Sequence, residues 1–248
     1  MKGRQEAILE ELTRHQKLEV SVLAEKLGVS QVTMRKDLDT LEKRGLVKRE
    51  HGFALIGPSD DLNNRLAFHY QEKQRIAKMA AESVSPGETV MIESGSCCAL
   101  LAETLVKTKR DVTIITNSAF IAGYIRSDPH SRVILLGGDY QSEAQVMVGP
   151  LVRLCAEQFH VEKLFIGTDG FTPQYGFTNS DMMRAEAVRI MSKQANKTIV
   201  LTEAQKFSMH GVVSLLRTQD VYAVYTDTAI PEDAEQVLLE NNVQVYKV

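Results

Sequence analysis

The chain has 248 residues, with 29 Lys+Arg against 32 Asp+Glu, three cysteines and no tryptophan; 44% of its residues are apolar and 25% charged. These values exclude collagen-like, largely disordered and disulfide-stapled classes, and no apolar run approaches the roughly 18–20 residues that span a bilayer. The opening MKGRQEAILEELTRH is charged throughout and has no secretory apolar stretch, so a cytoplasmic chain with no membrane partner is expected.

The net charge of −3 argues against a polyanionic partner only if it is uniform. It is not. Residues 1–52 hold 11 basic and 9 acidic side chains, and the remainder holds 18 and 23.

In the first stretch Ile8, Leu9 and Leu12 stand at helical spacing. Val20, Leu23, Ala24 and Leu27 repeat that spacing in a short second helix, and Gly28 suits its left-handed end. Ser30 has the hydroxyl to cap a third helix running from Gln31 to about Arg44. Met34, Leu38 and Leu41 form its inner face, and Gly45 stops it. Two short extended runs follow, Leu46–Arg49 and Gly52–Leu55, with a turn between them. Three helices and a hairpin make a winged helix-turn-helix plan. The third helix then presents Gln31, Thr33, Arg35 and Lys36 outward at its start, where a helix in a major groove meets base edges and phosphates. Lys48, Arg49 and His51 of the hairpin would lie beside the DNA backbone or minor groove.

The stretch GPSDDLNNR marks a boundary, since Gly, Pro, Ser and paired Asp/Asn punctuate chains. This gives a head over residues 1–57, a linker over 58–66 and a second domain over 67–248. Beyond the linker, helical and strand-like runs alternate. A helix is expected over Ala67–Ser83, then strand Thr89–Ile92, helix Cys97–Val106, strand Val112–Ile115 and a helix to about Arg126. Strands follow at Val133–Leu136 and Lys163–Ile166, with a helix over Asp181–Ala195. Next come strands Thr198–Leu201 and Val221–Tyr225, a helix opened by Pro231 and Glu232, and strand Val243–Tyr246. The alternation implies an α/β domain around a mainly parallel sheet.

Such sheets bind ligands beyond the carboxyl ends of their strands. Ser94, Gly95 and Ser96 sit between a strand and a helix, where amides, hydroxyls and the helix dipole suit an anion. Thr116, Asn117 and Ser118 repeat the arrangement one unit later. Gly137 and Gly138 permit close backbone approach, Asp169 offers a carboxylate to sugar hydroxyls, and Glu186 and Lys206 add opposite charges. Together they describe a pocket with a phosphate end and a polyol end. Cys97 and Cys98 are adjacent and Cys155 is distant. With no Cys-x-x-Cys or His-rich spacing, neither a metal nor a cofactor is expected.

The string VSVLAEKLGVSQVTMRKDLDTLEKRGLVKREHG resembles the DNA-binding segment of DeoR-type transcriptional regulators, whose core is Ser-x-x-Thr-apolar-Arg-basic-Asp-Leu. Here that core is Ser30, Thr33, Met34, Arg35, Lys36, Asp37 and Leu38. By the resemblance Thr33, Arg35 and Lys36 touch DNA, while Asp37 orients a neighbouring basic group. ESGSCCALLAETL, TIITNSAFIA, VILLGGDY, LFIGTDGF and VLTEAQKFS are similar to successive blocks of that family's sensor domain, which resembles ribose-5-phosphate isomerase in fold. The resemblance assigns a phosphate to Ser94, Gly95 and Ser96 and a sugar to Asn117, Gly138 and Asp169, with Lys206 supplying charge. Glu93 stands where the family usually has Asp, and Cys97 and Cys98 where it has threonines.

The expected protein is a regulator of carbohydrate-use genes, a repressor. Its partners would be double-stranded operator DNA, a phosphorylated sugar or polyol, and further copies of itself. The alternative is a phosphosugar isomerase with an appended DNA-binding domain. Against it, Asp169-Gly170-Phe171-Thr172-Pro173 lacks the isomerase's second acid pair, and no lysine occurs from Phe171 to Ala185.

Overall fold

The computed structural model describes residues 3–43, 45–56, 62–126 and 132–248. The chain divides into two compact units, Met1–Gln71 and Glu72–Val248.

The first unit contains α1 (Gly3–His15), β1 (Lys17–Glu19), α2 (Val20–Lys26), α3 (Gln31–Lys43), β2 (Lys48–Glu50), β3 (Phe53–Leu55) and α4 (Leu62–Ala67). Ile8, Leu9, Leu12, Leu23, Met34, Leu38, Leu41 and Leu46 are almost completely buried, so the spacings that predicted the helices also build their core. β2 and β3 form the expected hairpin, turning through His51 (φ 47°) and Gly52 (φ 86°). Positive φ at both turn residues matches the right-handed twist of the strands. β1 was not expected. Only Leu18 in Lys17-Leu18-Glu19 is apolar, too little for a strand pattern, yet it pairs with β3 to give the order β1-β3-β2.

The segment expected as a linker is described from residue 62 onward. Residues 57–61 lie outside the described ones, as does Arg44 at the expected end of α3, but residues 62–67 form α4. The single helix expected from Ala67 is instead α4 followed by α5 (Tyr70–Glu82). His69, at φ 48°, breaks the run, since a left-handed residue cannot continue a right-handed helix.

The second unit continues with β4 (Thr89–Ile92), α6 (Ser96–Thr108), β5 (Thr113–Thr116), α7 (Ala119–Tyr124), β6 (Arg132–Leu135), β7 (Asp139–Gln141), β8 (Val146–Val148) and α8 (Pro150–Ala156). Then come β9 (Val161–Ile166), β10 (Gly170–Thr172), β11 (Gly176–Asn179), α9 (Met182–Ser192), β12 (Ala195–Leu201), β13 (Val213–Leu216), β14 (Ala223–Thr226), α10 (Glu232–Glu240) and β15 (Gln244–Lys247). Seven strands form one parallel sheet in the order β15-β14-β12-β9-β4-β5-β6.

The central strands read as continuous apolar runs, Val90-Met91-Ile92 and Leu164-Phe165-Ile166, because both faces of the sheet are covered. Phe165 is completely buried, and Phe165→Ala would cost about 3–5 kcal/mol. The hairpin of β7 and β8, helix α8 and the antiparallel sheet β10-β11-β13 were not foreseen. In that small sheet a Cβ on Gly176 (φ 77°) would lie 2.5 Å from the Leu216 carbonyl oxygen, so glycine alone fits the crossing.

Candidate functional site: a reading helix and a strand-end crevice

In the N-terminal unit α3 divides cleanly into two faces. Met34, Asp37, Leu38 and Leu41 are buried, while Gln31, Val32, Arg35 and Lys36 are exposed. The Ser30 hydroxyl accepts the Thr33 backbone N–H at 3.2 Å and lies 2.9 Å from the Thr33 hydroxyl. These two residues therefore start and orient the helix. Asp37 accepts hydrogen bonds from Arg4 and Gln5 of α1. The basic neighbour it was expected to orient is thus Arg4, and the contact pins α3 to α1.

Lys48 is exposed on the wing. Arg49, grouped with it as a DNA contact, is occupied within the unit. Its guanidinium donates to Glu42 at 2.9 Å and lies 2.6 Å from Asp39, and its backbone N–H donates to Glu42. A carboxylate pair on α3 thus captures Arg49 and ties the wing to the reading helix.

In the C-terminal unit, chain order reverses between β4 and β9. Strands β5 and β6 are added on one side of β4, and β9, β12, β14 and β15 on the other. A crevice at such a reversal is where open α/β sheets bind ligands. Glu93-Ser94-Gly95 leaves β4 there, and Gly167-Thr168-Asp169 leaves β9. The two ends are tied, since the Glu93 backbone N–H donates to the Phe165 carbonyl at 2.9 Å. Gly95 has φ 146°, and a Cβ on it would lie 3.7 Å from the Gly167 Cα. Gly95 caps α6 with no side chain, and Ser96 begins the helix buried.

Thr116 and Asn117, at the end of the adjacent β5, are completely buried. The Thr116 hydroxyl accepts the Ser118 N–H, and Ser118 in turn caps α7 by accepting the Ile121 N–H. Asn117 donates to the Met147 carbonyl at 3.0 Å, while its Oδ1 is buried without a hydrogen-bond partner.

Asp169 accepts both the hydroxyl (2.7 Å) and the backbone N–H (3.0 Å) of Ser180. The same hydroxyl accepts from Arg184 at 3.0 Å, and Asp181 caps α9 through the Arg184 N–H. Ser180, Asp181 and Arg184 were missed in the sequence, although an Asp before an apolar helix is a readable cap. Glu93 was noted only as a departure. Burial pushes its carboxyl up to about 8, with Asp169 adding to the rise and Arg184 and the backbone N–H groups of Gly167 and Ser94 opposing it.

Glu186, Gly137 and Gly138 sit differently from their grouping. Glu186 pairs with Arg153 of α8 at 3.2 Å and is not drawn to Asp169. Two residues from Arg184 on one helix, it points to another side. Gly138 does permit close approach, but by its own chain: a Cβ there would lie 2.6 Å from the Val148 carbonyl oxygen and 2.8 Å from Val152. Gly137 lies near Cys155 in the same packing. Lys206 is half-buried in a 3-10 turn (Ala204–Ser208) beyond the carboxyl end of β12. Close to that turn is a buried ion pair, Lys73 of α5 with Glu203 at 3.5 Å.

Comparison with known proteins finds two family matches along the chain. The family described as the DeoR C terminal sensor domain matches residues 68–228, and the DeoR-like helix-turn-helix domain matches residues 4–58. The chain is 30% identical over 231 residues to the HTH-type transcriptional regulator GolR of Listeria innocua, covering 92% of this chain and 91% of that one. It is 27% identical over 246 residues to the glycerol-3-phosphate regulon repressor of Escherichia coli K12, covering 98% and 97%. Among solved structures, a D-ribose-5-phosphate isomerase in complex with phospho-erythronic acid aligns at 14% identity over 56% of this chain and 54% of that one, with a TM-score of 0.42. No described helix is long and apolar enough to cross a membrane. The chain belongs to the DeoR family of transcriptional regulators, with a helix-turn-helix domain followed by a sensor domain.

Proposed function

We propose that the protein represses carbohydrate-use genes, and that a phosphorylated sugar or polyol bound at the carboxyl ends of β4, β5 and β9 sets its grip on operator DNA. The observation that carries this reading is the convergence at the strand-order reversal. Gly95 and Gly167 bring two backbones together there, α6 starts without a side-chain cap, and Asn117 nearby keeps an unpartnered buried oxygen. The amides of Gly95 and Ser96 and the hydroxyls of Ser94 and Ser96 suit the phosphate. Asn117 and Asp169, with Ser180 and Arg184, suit the hydroxyls of the sugar. Lys206 brings a positive charge beyond the neighbouring strand end. The names of the relatives support the sense of regulation, since one is a regulon repressor named for a phosphorylated polyol.

On the reading head, Gln31, Arg35, Lys36 and Lys48 contact DNA. One head of this size reads too few base pairs for specificity, so the active species is a homo-oligomer engaging paired half-sites. Effector binding alters DNA affinity only if it favours one arrangement of the heads over another. Within the second unit, the Lys73–Glu203 pair ties α5 to the strand-end region.

The test is a gel-shift of the full chain on its own upstream DNA with a panel of sugar and polyol phosphates. One ligand class should release the DNA. Glu93 favours a second reading, because a buried carboxyl whose pKa is pushed up to about 8 can serve as an acid near neutral pH. Incubation with aldose phosphates should nevertheless give no ketose phosphate, since the second acid pair of the isomerase motif is missing.

A further inference from the structure

Val32 is 62% exposed, and among the described residues of the helix-turn-helix unit no other large apolar side chain is exposed. Burial does not account for it. Nor does helix formation, because a β-branched residue at a solvated helical position loses rotamer freedom. Its surroundings do give it a use. Val32 is the second residue of α3, on the face that also exposes Gln31, Arg35 and Lys36. Arg35 and Lys36 lie three and four residues on, directly beside it on the helix surface.

Two cations flanking an apolar group at the start of a reading helix complement a duplex well. The cations meet phosphates, and the groove floor receives whatever lies between them. An isopropyl group makes no hydrogen bonds, and beside an amino or carbonyl edge it would strip water from that group without replacing it. Of the base edges in the major groove, only thymine presents a methyl group.

We propose that Val32 determines sequence specificity by packing its isopropyl group against the 5-methyl group of a thymine in the major groove of the operator. The proposal rests on the reading of α3 as the DNA-reading helix.

The full-length protein would first select its preferred duplex from a randomised library. Affinities would then be measured with each thymine of that duplex replaced singly by deoxyuridine, which removes only the methyl group. At one thymine in each half-site the replacement should weaken the wild type by about threefold to tenfold, the scale of one buried methyl contact. Val32→Ala should bind the thymine duplex more weakly by a similar factor and lose the difference between thymine and deoxyuridine at that position alone. Val32→Ile should keep it. Unchanged melting temperatures would show that both variants fold, as an exposed position allows. If no replacement shows a loss that depends on Val32 while Arg35→Ala still weakens binding, the thymine assignment is overturned and the reading helix stands. If the wild type selects no sequence at all, both fall.

Discussion

At the start of α3, the Ser30 hydroxyl takes up the Thr33 amide, and Gln31, Arg35 and Lys36 stand exposed along the helix. At the start of α6, Gly95 brings no side chain, and a Cβ there would meet the Gly167 Cα at 3.7 Å. The contrast fits the size of the ligand proposed for each unit. A duplex is wide and must be reached by long groups such as Arg35 and Lys36. A single phosphate is small and is held best by amides and short hydroxyls at close range. The two units also bury acids differently. Asp37 is satisfied by Arg4 and Gln5, whereas Glu93 is held largely by burial and keeps its proton.

The contrast can be broken most severely at α6. Ser96→Glu places a bulky anion where the phosphate is expected, and the response to effector should be lost altogether while DNA affinity is kept. Gel-shifts with and without ligand would read both. A persisting response would move the phosphate site elsewhere.

The next effect is on stability. Folded Glu93 holds its proton to about pH 8, whereas the unfolded group releases it near 4.5. The contribution of this group is therefore fully present below about 4.5 and is lost as pH rises through 8. Glu93→Gln should stabilise the fold by roughly 3 kcal/mol at pH 7 and by almost nothing at pH 4. Urea unfolding at the two pH values would check it, and an equal gain at both would show that the carboxyl is not protonated.

Smaller effects lie on the head. Arg35→Ala should weaken DNA binding by about 1–3 kcal/mol, the range of one base or phosphate contact. Titration by fluorescence anisotropy would show it. Arg49→Ala should do less, under about 1 kcal/mol in thermal stability, because its exposed pairs with Asp39 and Glu42 are partly screened. If Arg49→Ala weakens DNA binding as much as Arg35→Ala, Arg49 leaves its carboxylates to meet DNA.

Most of the head was legible because its signals are local. Helical spacing, the Ser30 cap and the Gly28 and Gly45 stops each concern residues within a turn of one another. The parallel strands were legible for the same reason, as apolar runs between turn residues. What escaped depends on distant partners. β1 exists because β3 lies beside it, and β11 because β10 and β13 flank it. In the crevice, Ser94–Ser96, Asn117 and Asp169 were readable as polar residues at strand ends. That Arg184 and Ser180 join Asp169 needs the return of α9, and the pairing of Glu186 with Arg153 needs the unforeseen α8. The high pKa of Glu93 comes from burial, which one sequence position does not reveal.

The central claim is that a ligand held at the crevice of β4 and β9 governs the hold of α3 on DNA. Its most direct measurement is the affinity of the full chain for its selected operator, with and without each of a panel of sugar and polyol phosphates, for wild type and Ser96→Glu side by side. The account predicts that one phosphorylated ligand lowers wild-type affinity severalfold and leaves the variant unchanged. A phosphorylated ligand that binds the wild-type sensor and leaves its DNA affinity untouched would contradict it.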